Sequence, residues 1–221
     1  MPDLPSGTVT FLFTDIEGST ERWEHDRAAM AEAVERHLAL IRQAIETHGG
    51  VPFKVVGDAV QAAFPAAPQA VAAALAAQRT LLIEDWGALG PLRVRMALHA
   101  GEAEPDDRGD YLVPAVNRLF RLLAAGHGGQ VLLSHAVRQL ARDALPEGTA
   151  VRDLGAHRLG DLLEPERVFN SCTLTCPTPS RRSGRWMPAR TTCSASPPRS
   201  LVASGRWPRW SNCFASSMCG C

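Results

Sequence analysis

Val9-Thr10-Phe11-Leu12-Phe13-Thr14-Asp15 is the stretch on which the fold turns. Val9 to Phe13 is rich in β-forming residues, and the run stops at Thr14-Asp15, so it reads as a buried strand carrying a carboxylate at its end. Helical spacing takes over from about Ser19 to Thr47, with apolar residues at Val34, Leu38, Ile41 and Ile45, and Gly49-Gly50 ends it. Val51–Val56 and Ala59–Phe64 then flank Gly57-Asp58, a hairpin signal.

Further along, an alanine-rich helix is predicted from about Pro68 to Asp85, and Leu92 to His99 alternates as another strand. A polar loop around Pro105–Gly109 precedes a helix through Asn117 to Ala125. Gln130–Leu133 is a short strand, and Ser134 caps a helix to about Ala144. Weaker strand signals lie near Ala150–Leu154 and Arg167–Phe169. The order βαββαβ followed by αβαββ predicts an α+β sandwich with helices on one face of a mainly antiparallel sheet.

Composition supports one domain and an appendage. The 221 residues are 45% hydrophobic and 21% charged, enough for an ordinary core. No stretch approaches the ~18 apolar residues of a membrane span, and the acidic N-terminus is unlike a signal peptide, so a cytoplasmic protein without a membrane partner is expected. The net charge of zero hides an asymmetry: 7 of the 23 Lys and Arg lie in residues 171–221, which contain no Asp or Glu. Residues 1–170 therefore carry a net −7 and no basic stripe, which argues against nucleic acid as their partner.

Residues 171–221 lose all hydrophobic periodicity and hold all 6 cysteines. The Cys172/Cys176 and Cys219/Cys221 pairs lack the facing knuckles of structural zinc. The Arg, Ser, Pro, Cys and Trp mixture is what an out-of-frame reading of a GC-rich gene produces, and a disordered tail is the other reading. Residues 1–170 are taken as the functional domain, and no role is assigned to the tail.

The sequence has no Gly-x4-Gly-Lys-[Ser/Thr] and no Gly-x-Gly-x-x-Gly, so neither a P-loop nor a dinucleotide site is supported. It does have two aspartates at strand ends. If the first strand pairs beside the hairpin, Asp15 and Asp58 converge as the hard oxygen ligands that Mg²⁺ prefers. Gly18-Ser19-Thr20 opens a helix, where backbone N–H groups can receive phosphate oxygens. Taken singly, Asp15 reads rather as a turn or capping residue, Asp58 as a turn residue, and Asn117 with Arg121 as a solvated helical face.

In combination the motifs say more. Phe13-Thr14-Asp15-Ile16-Glu17-Gly18-Ser19-Thr20, Phe53-Lys54-Val55-Val56-Gly57-Asp58 and Val116-Asn117-Arg118-Leu119-Phe120-Arg121 resemble, in order and spacing, the class III nucleotidyl cyclase catalytic domain. The resemblance covers about residues 6–170 and is strongest to bacterial forms that precede ATPase or helix-turn-helix regions, which implies that C-terminal regulatory domains have been lost.

The resemblance implies a ferredoxin-like βαββαβ core with extra C-terminal αβαββ elements, working as a head-to-tail homodimer with sites at the interface. It assigns two Mg²⁺ or Mn²⁺ ions per site to Asp15, Asp58 and the carbonyl of Ile16. Lys54 and Asp110 correspond to the adenine-reading pair, and Asn117 and Arg121 to the transition-state residues. The implied activity is adenylyl cyclase, ATP to 3′,5′-cyclic AMP and diphosphate by two-metal catalysis. The alternatives are a degenerate nucleotide-binding or dimerisation module and, less favoured, a guanylyl cyclase.

Three departures from the family pattern stand out. Position 160 is Gly where a triphosphate-binding Lys or Arg is usual, leaving Arg158 to compensate along a strand. Val113 replaces a glycine. Leu119 and Phe120 replace small residues, adding bulk near the interface. Weak triphosphate binding is the expected consequence.

Overall fold

The computed structural model describes residues 4–160, 162 and 164–173. The strands are β1 (Gly7–Ile16), β2 (Val51–Val56), β3 (Ala59–Phe64), β4 (Val94–Ala103), β5 (Val131–Ser134), β6 (Thr149–His157) and β7 (Glu166–Thr173). The helices are α1 (Ser19–His25), α2 (Arg27–Thr47), α3 (Ala67–Ile83), α4 (Pro114–Ala125) and α5 (His135–Ala141). Every strand joins one sheet in the order β2-β3-β1-β4-β5-β7-β6. The first four form the antiparallel ferredoxin-like unit, and β4–β5 is the parallel pair. No helix among the described residues is long and apolar enough to cross a membrane.

Alternation along β1 builds two cores. Leu12 and Ile16 point to one face, where they pack with Met30, Ile41 and Ile45 of α2, Val71 and Leu75 of α3, and Val137 of α5. Val9, Phe11 and Phe13 point to the other, against Leu119, Leu122 and Leu123 of α4. The expectation of helices on one face is therefore corrected: α4 covers the opposite side. The physical reason is that β1 is buried without a break from Val9 to Thr14, with Phe11, Leu12 and Phe13 apolar in succession, so the strand must be covered on both faces.

The predicted helix from Ser19 to Thr47 is two helices. Asp26 leaves helical geometry at φ −147°, and its side chain accepts a hydrogen bond from Ala29 N–H at 3.0 Å, so it caps α2 and ends α1. Ser134 caps α5 as predicted, accepting from Val137 N–H. Strand β7 runs past residue 170: Ser171 is buried and pairs with both Val131 and Val151. Of the cysteines, Cys172 lies on β7. The reading-frame and zinc readings fall on residues 171–221, of which 174–221 lie outside the described residues.

Candidate active site

The β1–β3 pairing sets Thr14 opposite Val60, which brings the β2–β3 turn beside the end of β1. There the Asp58 carboxylate accepts a hydrogen bond from Ile16 N–H at 2.9 Å. Asp58 is thus held one residue from Asp15, as the convergence of strand ends requires. Asp15 belongs to the odd-numbered face of β1, the side covered further along by α4. Beyond Phe13 that face carries charge.

The charge that meets Asp15 is Arg95. The β4 pairing sets Arg95 opposite Asp15, and its Nε donates to Asp15 Oδ2 at 2.7 Å, with Nη2 at 2.5 Å from the same oxygen. Sequence reasoning missed Arg95. Its signal was present in the alternation of Leu92 to His99, but opposite charges on facing residues become visible only once β1 and β4 are known to pair.

Lys54 reaches the same face through an irregularity. In β2 the register shifts at Phe53, so that Pro52 stands opposite Ala62 but Lys54 stands opposite Gln61. Without the extra residue, Lys54 would face Val60 in the α2/α3 core. With it, Phe53 packs among Phe11, Phe13 and Tyr111, and Lys54 forms an ion pair with Asp110 in the loop before α4. That hydrogen bond from Lys54 is the main reason the Asp110 carboxyl lies below its ordinary pKa. The other Asp110 oxygen accepts from Tyr111 N–H at 2.8 Å, and Asp110 N–H donates to Asp106 Oδ1 at 2.9 Å. Tyr111 is anchored in turn by donating from its hydroxyl to the Pro5 carbonyl at 2.6 Å.

Asn117 and Arg121 lie one turn apart on the exposed side of α4. Gly18, at φ 72°, opens α1, with Ser19 and Thr20 as its first residues. Arg158 is exposed just past the end of β6. The fold thus brings Asp58 to Ile16 beside Asp15, and Lys54 to Asp110, while Asn117 and Arg121 stand exposed on the helix beyond.

Residues 1–157 match the model of the adenylate and guanylate cyclase catalytic domain. The chain belongs to that family. An uncharacterized protein of Mycobacterium tuberculosis is 42% identical over 170 residues, covering 76% of this chain, which spans only 57% of that protein's length. An adenylate cyclase of Podospora anserina is 30% identical over 220 residues, 75% of this chain and 10% of the fungal one. Among solved structures, the adenylyl cyclase CyaB from P. aeruginosa superposes with a TM-score of 0.64 at 26% identity, covering 80% of this chain and 96% of that one. An adenylate cyclase from Trypanosoma brucei in its monomeric state gives 0.68 at 29% identity, covering 77% and 91%.

The oxygen donors of this cyclase domain suit a hard divalent cation. Among the described residues no group of three or more His, Cys, Asp or Glu side chains could hold a metal. Two carboxylates at neighbouring strand ends are hard donors of the kind that suits an ion keeping water and phosphate as its other ligands.

The structure revises the three departures. Val113 sits at φ −128°, ψ 154°, extended backbone open to any residue, so it imposes no strain at the start of α4. Leu119 is fully buried in the α4 core and adds nothing to the surface. Phe120 is 42% exposed and packs edge-to-face on Phe13 with centroids 4.8 Å apart. Residues 158–160 follow the end of β6, so the strand alternation invoked for Arg158 does not apply there. Gly160 adopts φ +58°, and a Cβ on it would come within 3.0 Å of Arg121 Cδ. A side chain at position 160 would therefore need Arg121 to shift by a few tenths of an ångström, on top of the strain of the positive φ.

Proposed function

We propose that this cyclase domain, residues 1–170, is an adenylyl cyclase that converts ATP to 3′,5′-cyclic AMP and diphosphate as a homodimer. The observation that carries the reading is the Lys54–Asp110 pair, joined across 56 residues on the α4 face. A fixed donor beside a fixed acceptor suits adenine, which offers a ring nitrogen to the first and an exocyclic amine to the second. Asp15, Asp58 and the Ile16 carbonyl would hold two Mg²⁺ or Mn²⁺ ions. When bound, such ions supply acidity to the ribose 3′-hydroxyl and neutralise the triphosphate.

The remaining roles fall to this chain's own groups. Asn117 orients the ribose, and Arg121 balances charge developing on the α-phosphate. Gly18, Ser19 and Thr20 present backbone N–H groups to phosphate oxygens, and Arg158 and Arg95 add positive charge there. In the homodimer, Asp15 and Asp58 of one protomer complete a site with Lys54, Asp110, Asn117 and Arg121 of its partner. Leu112, Val56 and Phe120 support a second copy on this side, since all three are large apolar residues exposed to solvent.

A second reading is a cyclase-like module that binds nucleotide without turnover. It is favoured by Gly160, which leaves no cationic side chain where the family usually has one. Cyclic AMP formation from ATP and Mn²⁺, with Asp15→Ala as control, separates the two. Asp15-dependent product is expected, and partial recovery on mixing Asp58→Ala with Asn117→Ala. A folded dimer that binds nucleotide and makes no product supports the second reading, and faster turnover of GTP overturns the base assignment.

A further inference from the structure

His37 lies on α2 with no exposed surface, on the far side of the sheet from α4 and beneath the β2–β3 turn. Its Nε2 is 3.1 Å from the backbone carbonyl oxygen of Asp58. A carbonyl only accepts, so Nε2 carries the proton and Nδ1 is the bare acceptor of a neutral ring. Nδ1 is buried and has no hydrogen-bond partner among the described residues. Burying an unmatched polar atom costs stability, and the neighbouring core positions of α2 are filled by Leu40 and Ile41 without that cost. The feature of His37 that an apolar residue lacks is the Nε2–H aimed at Asp58.

Asp58 is consequently held at both ends. Its carboxylate accepts from Ile16 N–H on β1, and its carbonyl accepts from His37 on α2. One bond sets the side chain and the other sets the backbone of a two-residue turn whose Gly57 stands at φ 61°. A turn left free would have to be ordered at the moment of ligand binding.

We propose that His37 is a positioning residue for the metal-binding turn, fixing Asp58 from inside the core so that its carboxylate is preset beside Asp15. The proposal rests on the cyclase reading in which Asp58 is a metal ligand. Hydrogen-bonded partners of metal ligands typically contribute about 10–100-fold to metal affinity. His37 differs from the usual partner in gripping the ligand's backbone, across the sheet from the reacting groups.

The test measures Mn²⁺ binding by the full-length chain without nucleotide, following free Mn²⁺ by electron paramagnetic resonance. Each variant is also melted in EDTA. His37→Leu removes the donor at similar volume, whereas the amide nitrogen of His37→Gln reaches the Nε2 position. His37→Leu is expected to weaken Mn²⁺ binding about tenfold or more, with His37→Gln recovering most of the loss. A purely structural histidine would lower the melting temperature of His37→Leu in EDTA and leave its Mn²⁺ affinity unchanged, and that result overturns the proposal.

Should His37→Leu fail to fold, the wild-type His37 Nε2–H resonance decides. It is expected to shift when Mg²⁺ saturates the site, and no shift overturns the proposal. Wild-type protein that binds Mn²⁺ no better than Asp58→Asn would instead overturn the metal reading, and this assignment with it.

Discussion

Under the proposed cyclase reading Asp58 has two jobs, one structural and one catalytic, that a pair of substitutions can separate. Its carboxylate accepts the Ile16 N–H at 2.9 Å, and Ile16 is almost fully buried, so Asp58→Ala leaves a backbone donor without its partner. That loss costs about 1–3 kcal/mol. For a domain of this size each kcal/mol moves Tm by roughly 2–4 °C, so Asp58→Ala should melt about 2–12 °C lower. Asp58→Asn keeps an oxygen in place for the same N–H and removes only the charge, so its Tm should stay within about 2–3 °C of wild type. Melting in EDTA reads this structural part alone.

Catalysis should divide the variants differently. A carboxylate that holds a catalytic cation contributes to several kcal/mol of transition-state stabilisation, so both variants should lose about a hundredfold or more in cyclic AMP formation. The expected pattern is thus one stable, inactive variant and one unstable, inactive variant. The reasoning fails if Asp58→Asn melts as low as Asp58→Ala, because the Ile16 bond would then not be the anchor. It fails equally if Asp58→Asn keeps near-wild-type turnover.

Two other predictions rest on separate parts of the chain. Gly160→Ala should lower stability by about 1–2 kcal/mol, because φ +58° disfavours any Cβ and Arg121 Cδ lies 3.0 Å from where that atom would sit. Unchanged melting would refute that strain, and Gly160→Lys meets the same positive φ. His99 is buried on β4, with its pKa pushed down to about 4 mainly by desolvation and further by Arg118. The unfolded state therefore takes up this proton first, so stability is full above about pH 6.5 and falls as pH drops towards 4, by about 3 kcal/mol in all. His37, also lowered by burial, acts with the same sign. Urea titrations across that range should show a shallower pH dependence for His99→Gln, and equal slopes would refute the assignment.

Much of this molecule could be read locally. The apolar run ending at Asp15, the Gly57-Asp58 turn and the helix carrying Asn117 and Arg121 are all short-range patterns, and each appears where its spacing placed it. Those features follow from neighbours within a few residues, through strand alternation, turn chemistry and helical period. The break at Asp26 was also written locally, as a capping residue, but helical spacing on either side concealed it.

Tertiary structure decided what lies between the elements. Which face α4 covers depends on the apolar residues of both sides of β1 finding partners at once. Lys54 reaches Asp110 because one extra residue at Phe53 turns its side chain out of the core, and alternation alone does not reveal a bulge. Asp15 meets Arg95 through strand pairing across 80 residues, and His37 grips Asp58 from a helix on the opposite side of the sheet. The approach of the Arg121 side chain to position 160 likewise brings a helix to a distant loop. The sequence alone determined which groups are present and which local elements carry them. Their distances and partners arose only when the sheet was assembled, because a pairing between remote residues leaves no periodic trace in the chain.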